Sequence, residues 1–144
     1  MKQNILIVDD DKDICSTLSK ILSSKGYLSN IANNSDAAIN EIKNTPIDLV
    51  LLDVWLEGSQ KDGIELLKII KKFNPNIPVI LISGHANIDM AVKAIKLGAF
   101  YFIEKPFKSE KLFLIMDRAL ENAFLKNKYE TYKENRENEE FIGN

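Results

Sequence analysis

From Asp48 to Trp55 the chain reads Asp-Leu-Val-Leu-Leu-Asp-Val-Trp, with four apolar residues between two acids, and no other stretch constrains the fold as tightly. An apolar run without polar alternation has no face to give to water, so it reads as a central strand covered on both sides. Asp53 then stands at the carboxyl end of that strand, where open α/β sheets bind ligands and carry out chemistry. A carboxylate in such a place must be solvated, paired or metal-bound. Its position makes Asp53 a candidate nucleophile.

Around this strand, short apolar runs alternate with helix-period segments five times, which predicts a parallel sheet with helices on both faces. The first strand, from Asn4 to Val8, ends in Asp9-Asp10-Asp11. Ile14, Leu18, Ile21 and Leu22 mark the helix that follows, and Gly26 closes it in an expected left-handed conformation. A weaker strand from Tyr27 to Ala32 leads through Asn33-Asn34-Ser35, residue types suited to capping, into a helix expected to bury Ala38, Ile39 and Ile42. Pro46 resets the chain into the central strand. The next helix carries Ile64, Leu67, Ile70 and Phe73, stops at Asn74-Pro75, and gives way to a strand from Val79 to Ser83. A short helix with the stripe Ile88, Val92, Ile95 stops at Gly98. The last strand, from Phe100 to Glu104, runs into Lys105-Pro106-Phe107, and Ser109 is placed to cap a fifth helix that fades at Phe124 or Leu125.

Residues 1–125 therefore read as one domain, and residues 126–144 as a charged linker. Lys126/Glu130, Lys133/Glu137 and Arg136/Glu140 are spaced for helical i,i+4 pairs, so this linker reads equally as an extended helix or as a frayed tail. A chain of 144 residues with 45% hydrophobic content suffices for one core of ordinary size and leaves no room for a second full domain. The formal charge of −2 carries no electrostatic footprint for nucleic acid, so direct DNA binding by this segment is not expected. All but two of the 19 basic residues are lysine, which reads as base composition and gives the surface lysines little functional weight. Cys15, the single cysteine, cannot form an internal disulfide and reads as a reduced, half-buried helix residue. The apolar run from Ile5 to Val8 is too short for a signal peptide or a membrane span, so a cytoplasmic location without membrane attachment is expected.

The chemistry lies at one edge of this sheet, where the strands deliver Asp9 and Asp10, Asp53, Ser83 and Lys105. Two like charges 4 Å apart cost on the order of 4 kcal/mol at an effective dielectric of about 20. Three clustered carboxylates thus need a cation to stay ionised at neutral pH. Oxygen-only donors select a hard divalent ion, and Mg²⁺ with retained waters suits a few carboxylates plus a phosphate. With Lys105 as a second positive charge and Ser83 as a hydroxyl donor, the set complements a phosphoryl group on Asp53. Each residue has a plainer reading alone: a capping run for the acids, a turn residue for Ser83, a solvated Lys105. The four strand-end placements together carry the argument.

At Ile5-Leu6-Ile7-Val8-Asp9-Asp10, Leu51-Leu52-Asp53, Ser83-Gly84 and Lys105-Pro106-Phe107 the chain resembles the receiver domain of bacterial two-component response regulators, over about residues 3–125. The resemblance implies a flavodoxin-like, doubly wound five-stranded parallel sheet of order 2-1-3-4-5 with five helices. It implies Mg²⁺ held by Asp10, Asp53 and the main-chain carbonyl of Trp55, with Asp9 acting through water. Asp53 would accept a phosphoryl group from a sensor histidine kinase, and Ser83 and Lys105 would bind its oxygens. Phe102 falls at the family's switch aromatic, and the Lys105-Pro106 bond is expected to be cis. A homodimer is expected through the face of helix four, strand five and helix five, or through the linker helix.

The loop from Val54 to Gly63 departs from the usual family pattern, being two residues longer and lacking its proline. In this it is similar to the NtrX branch of the nitrogen-regulation response regulators, whose members carry an ATPase domain acting on sigma-54 polymerase and then a helix-turn-helix. Glu140-Phe141-Ile142-Gly143-Asn144 is similar to the opening of that ATPase domain, so a receiver plus linker from a longer regulator is expected. Other classes fit less well. A haloacid-dehalogenase-type phosphatase needs an acid where Trp55 stands, and a flavodoxin's phosphate would be repelled by Asp9-Asp10-Asp11. A receiver that only dimerises, without phosphorylation, is the remaining alternative. Two further residues bear on how long a phosphoryl group would last: Trp55 is placed to cover the approach of water, while His85 reads either as a plain loop imidazole or as a group that orients that water.

Overall fold

The computed structural model of the chain describes residues 2–54, 60–84 and 88–142, with side chains for all of these except 60–62 and 127–142. Strands β1 (Asn4–Val8), β2 (Leu28–Ala32), β3 (Leu49–Asp53), β4 (Val79–Ser83) and β5 (Tyr101–Glu104) form one sheet in the order β2-β1-β3-β4-β5. Every pairing is parallel. Helices α1 (Lys12–Ser24), α2 (Ser35–Asn44), α3 (Gln60–Phe73), α4 (Ile88–Lys96) and α5 (Ser109–Ile142) follow the strands in turn. This is the doubly wound, five-stranded architecture expected from the sequence.

Right-handed crossovers decide which helix covers which face. From β1 to β2 the chain steps one way across the sheet; from β2 through β3 and β4 to β5 it steps the other way. The crossover helices α2, α3 and α4 must therefore lie opposite α1, and α5 returns to the α1 side. Side-chain alternation along the strands matches this. Ile5, Ile7, Leu49, Leu51, Ile80 and Ile82 pack with Cys15, Leu18 and Leu22 of α1 and with Leu112, Met116 and Ala119 of α5. Leu6, Val8, Val50, Leu52, Val79 and Leu81 pack with Ala38, Leu66, Leu67, Ile70, Met90 and Ala94 on the other face. β3 is buried along its whole length, as an unbroken apolar strand must be.

Local chemistry sets the helix ends. The Asp11 carboxylate accepts from the Asp13 and Ile14 amides and caps α1, and the Asn34 side chain accepts from the Ala37 amide and caps α2. At the other end of α1, Gly26 takes a φ of 85°, which lets its amide reach Ser23 O at 3.0 Å and the Tyr27 amide reach Leu22 O at 3.1 Å. Gly98 repeats the device after α4 with a φ of 105°.

Several expectations needed correction. Ile88, Val92 and Ile95 share a stripe of α4, but it faces outward; they are 82%, 46% and 48% exposed, and the buried face is Met90 and Ala94. Phe73, at the last position of α3, is also exposed, and Leu66 takes the inner place. In α2 only Ala38 is fully buried, with Ile39 and Ile42 packed at the margin of the core. Ser109 is the first residue of α5 and not the residue before it. α5 continues without a break past residue 126 to Ile142, so the linker segment takes the helical of its two forms as far as that residue. Among the described residues no helix is long and apolar enough to cross a membrane.

The first turns of α3 lie against the backbone leaving β3, and a Cβ built on Gly63 would overlap the main-chain carbonyl of Val54. Gly84 is different, since the nearest atom to its Cβ would be Lys105 Cβ at 3.9 Å. Gly63→Ala should therefore lower the unfolding free energy by about 2 kcal/mol or more, and Gly84→Ala should change it by no more than about 0.5 kcal/mol. Urea denaturation of the two variants decides the matter, and equal midpoints would refute the close approach.

Candidate functional site

Register brings the acids together before any side chain is considered. Val8 pairs with Leu52, so the next residues of the two strands, Asp9 and Asp53, leave the sheet side by side. Asp53 in turn pairs with Ile82, one residue before Ser83, and Ser83 pairs with Glu104, one residue before Lys105. The sequence-predicted site residues Asp9, Asp10, Asp53, Ser83 and Lys105 thus share one edge.

Asp9, Asp53 and Ser83 are buried, at 4%, 8% and 0% exposure, while Asp10 is exposed. One carboxylate oxygen from each of Asp9, Asp10 and Asp53 lies within 4.8 Å of the others. Lys105 Nζ stands between two of the acids, 3.5 Å from Asp9 Oδ2 and 3.6 Å from Asp53 Oδ2. The Asp9 carboxyl is pushed up to about 6, chiefly by burial and further by the charge of Asp53, against the lowering effects of the Asp11 amide and of Lys105. That amide donates to Asp9 Oδ1 at 2.9 Å, and so fixes the carboxylate at the head of the loop.

The Lys105 amide donates to Ser83 O at 2.9 Å and ties the β5–α5 loop to the end of β4. The following Lys105-Pro106 bond is cis, as the resemblance implied. Phe102 of β5 is half-buried against the core on the α2–α4 face. Trp55 and His85 lie outside the described residues.

Two residues at the site were not singled out from the sequence. Asn33 was grouped with the capping residues, but its amide turns inward, donating to Asp9 O at 2.9 Å. The Cys15 thiol donates to the same oxygen at 3.3 Å. Cys15 is fully buried rather than half-buried, and its thiol is pushed up to about 11, first by burial and then by the charges of Asp9 and Asp11. It is therefore a neutral donor at physiological pH. Nothing in the spacing of Asn33 marks this role, because the contact joins the loop after β2 to the end of β1.

The donor set fits a hard divalent cation: three carboxylates converge, and all the donor atoms they offer are oxygen.

Fold and site together are those of a signalling receiver, and residues 5–117 match the model of the response regulator receiver domain. The chain belongs to that family. It is similar to the nitrogen assimilation regulatory protein NtrX of Azorhizobium caulinodans, with 47% identity over 134 residues, 93% of this chain and 30% of that relative. The chain thus spans less than a third of the length of that relative. The crystal structure of the receiver domain of NtrX from Brucella abortus superposes with a TM-score of 0.76 at 50% identity, covering 81% of this chain and 98% of that one. The solution structure of the beryllofluoride-activated NtrC4 receiver domain dimer is similar at 40% identity and a TM-score of 0.77, covering 83% and 98% of the two chains.

Because the folded state raises the Asp9 carboxyl from 3.8 to about 6, the stability tied to this group is fully present below pH 4 and is lost as pH rises through about 6. In metal-free buffer the parent should lose stability relative to Asp9→Asn between pH 4 and pH 7, by on the order of 2 kcal/mol. Chemical denaturation across that range measures it, and parallel pH profiles for the two proteins would show that the Asp9 carboxyl is not raised.

Proposed function

We propose that this chain is a phosphorylation-controlled receiver in which Asp53 accepts a phosphoryl group from the phosphohistidine of a sensor histidine kinase. The observation that carries the reading is the Lys105 ammonium shared between Asp9 and Asp53 beside three converging carboxylates. An Asp53 carboxylate oxygen attacks phosphorus, the P–N bond breaks, and the imidazole leaves with the bonding pair and takes a proton. Lys105 Nζ is within reach of an oxygen of the transferring group, and Ser83 Oγ at the end of β4 donates to another. Asp10 and Asp53, the main-chain carbonyl of Trp55, and Asp9 through water would hold Mg²⁺. When bound, that ion neutralises the carboxylates and the phosphoryl oxygens on which charge gathers. The chemistry is confined to the domain's own phosphorylation and dephosphorylation; Trp55 is the residue proposed to cover the approach of water and lengthen the lifetime, and His85 is either a plain loop imidazole or a group that orients that water and opposes Trp55.

The output follows from the same edge. A phosphoryl group drawing Ser83 and Lys105 inward changes the packing around Phe102, and β5 and α4 adjoin it. Ile88, Val92 and Ile95 of α4 and Tyr101 of β5 form an exposed apolar face there. That face is the one offered for a homodimer, and the activated receiver dimer similar to this chain supports the reading. Residues 1–125 act as the signalling unit in the cytoplasm, and the continuation of α5 connects it to an ATPase domain and a DNA-binding domain of a sigma-54-dependent regulator. Support for that output is the similarity to a nitrogen assimilation regulator of which this chain spans only part.

Acetyl phosphate with Mg²⁺ should add one phosphate to the intact mass, and chelation or Asp53→Asn should abolish the gain. A phosphate that persists on Asp53→Asn would overturn the assignment. Beryllofluoride should raise the mass seen by light scattering, and Val92→Lys or Ile95→Lys should prevent the rise. An increase that survives both substitutions would place the dimer contact elsewhere.

A further inference from the structure

Asp9 and Asp10 are joined by a single peptide group, and the orientation of that plane sets where the Asp10 side chain leaves the main chain. The plane is anchored at its oxygen. Asn33 Nδ2 donates to Asp9 O at 2.9 Å, and Cys15 Sγ donates to it at 3.3 Å. The donors come from different elements, one from the loop between β2 and α2 and one from α1. A carbonyl can only accept, so the Asn33 amide must present its NH₂ to it. The same nitrogen lies 3.6 Å from Cys15 Sγ. The Asp9 amide, for its part, donates to Ala32 O at 3.1 Å, so both ends of the residue are held by the chain around the end of β2.

This anchoring has no evident purpose in closing either helix. Asn34, not Asn33, caps α2, and Asp11 caps α1. Asp10 itself is exposed, so packing does little to fix its direction. What remains to aim it is the peptide plane behind it.

We infer that Asn33 is a positioning residue for the candidate cation site, holding the Asp9–Asp10 peptide so that both carboxylates converge with Asp53. Cys15 is its partner in that clamp. The inference rests on the proposed function, because it assigns a role toward the cation that Asp9, Asp10 and Asp53 would hold. Groups that orient metal-binding side chains without touching the metal commonly change affinity by tenfold or more when removed.

The test compares Asn33→Ala with Asn34→Ala in the full chain, following Mg²⁺ titration by the fluorescence of Trp55, the only tryptophan. Both substitutions remove a loop hydrogen bond and should lower the melting temperature. Only Asn33→Ala should weaken Mg²⁺ binding, by about tenfold, with a matching rise in the Mg²⁺ needed for half-maximal labelling by acetyl phosphate. Asn33→Ser, whose shorter side chain falls short of the carbonyl, should do the same and serves if the alanine variant does not fold. If both Asn33 variants bind Mg²⁺ as the parent does, or if Asn34→Ala weakens binding equally, the positioning role is wrong. If the parent binds no Mg²⁺, or binds it unchanged after Asp10→Ala, the cation site itself is wrong and the inference falls with it.

Discussion

The reversal of winding direction between β1 and β3 is the constraint on which the site depends. Right-handed crossovers send α1 to one face and α3 to the other, so the helices that follow β1 and β3 diverge from the carboxyl ends of adjacent strands. Such a divergence leaves a crevice at the strand ends that no helix covers. Asp9 and Asp53 are the residues that enter it, because Val8 and Leu52 are paired in the register just below. Moving either acid by one position would turn it toward a helix-covered face, where the neighbours are Leu and Val.

Placing two buried acids side by side has an electrostatic cost that the fold leaves partly unrelieved. Lys105 comes within about 4 Å of both, yet burial and mutual repulsion still hold the Asp9 carboxyl near 6. Such a site favours whatever brings further positive charge into it. The surrounding hydrogen bonds do not neutralise the acids; they fix their geometry, through the Asp11 amide on the carboxylate and the Asn33 and Cys15 donors on the main chain. The acids are crowded while their position is tightly held, a combination that fits a hard cation.

Away from the site, two lysine and tyrosine contacts stiffen the opposite parts of the fold. Lys71 of α3 donates to Pro75 O at 2.8 Å and Ile77 O at 2.9 Å, and its aliphatic stem lies 3.0 Å from where a Cβ on Gly98 would sit. Burial lowers its ammonium from the usual lysine range. Tyr27, stacked on Phe113 at 6.4 Å, donates its hydroxyl to Asp117 at 2.9 Å and pins the start of β2 to α5. A lysine-rich composition concealed the first of these, since most lysines of the chain are exposed and this one closes a turn.

The strands, their parallel arrangement and the strand-end acids were determined by the sequence alone. Apolar period and punctuation are local properties, and a carboxylate after an unbroken apolar strand can leave the sheet only at its edge. Gly26 and Gly98 were legible for the same reason, because a helix that stops in a left-handed turn needs glycine wherever it is found. The inner face of α4 was not legible. Ile88, Val92 and Ile95 form one apolar stripe and Met90, Ala94 and Leu97 another, and periodicity states which residues share a face without stating which face meets the sheet. Only the docking of a short helix across β4 and β5 decided that, with the small Ala94 allowing close approach and the branched residues left outside. The Asn33 clamp was hidden likewise, since a loop asparagine is equally suited to capping its own helix. Only the closure of β2 against β1 brought it to the carbonyl between the two acids.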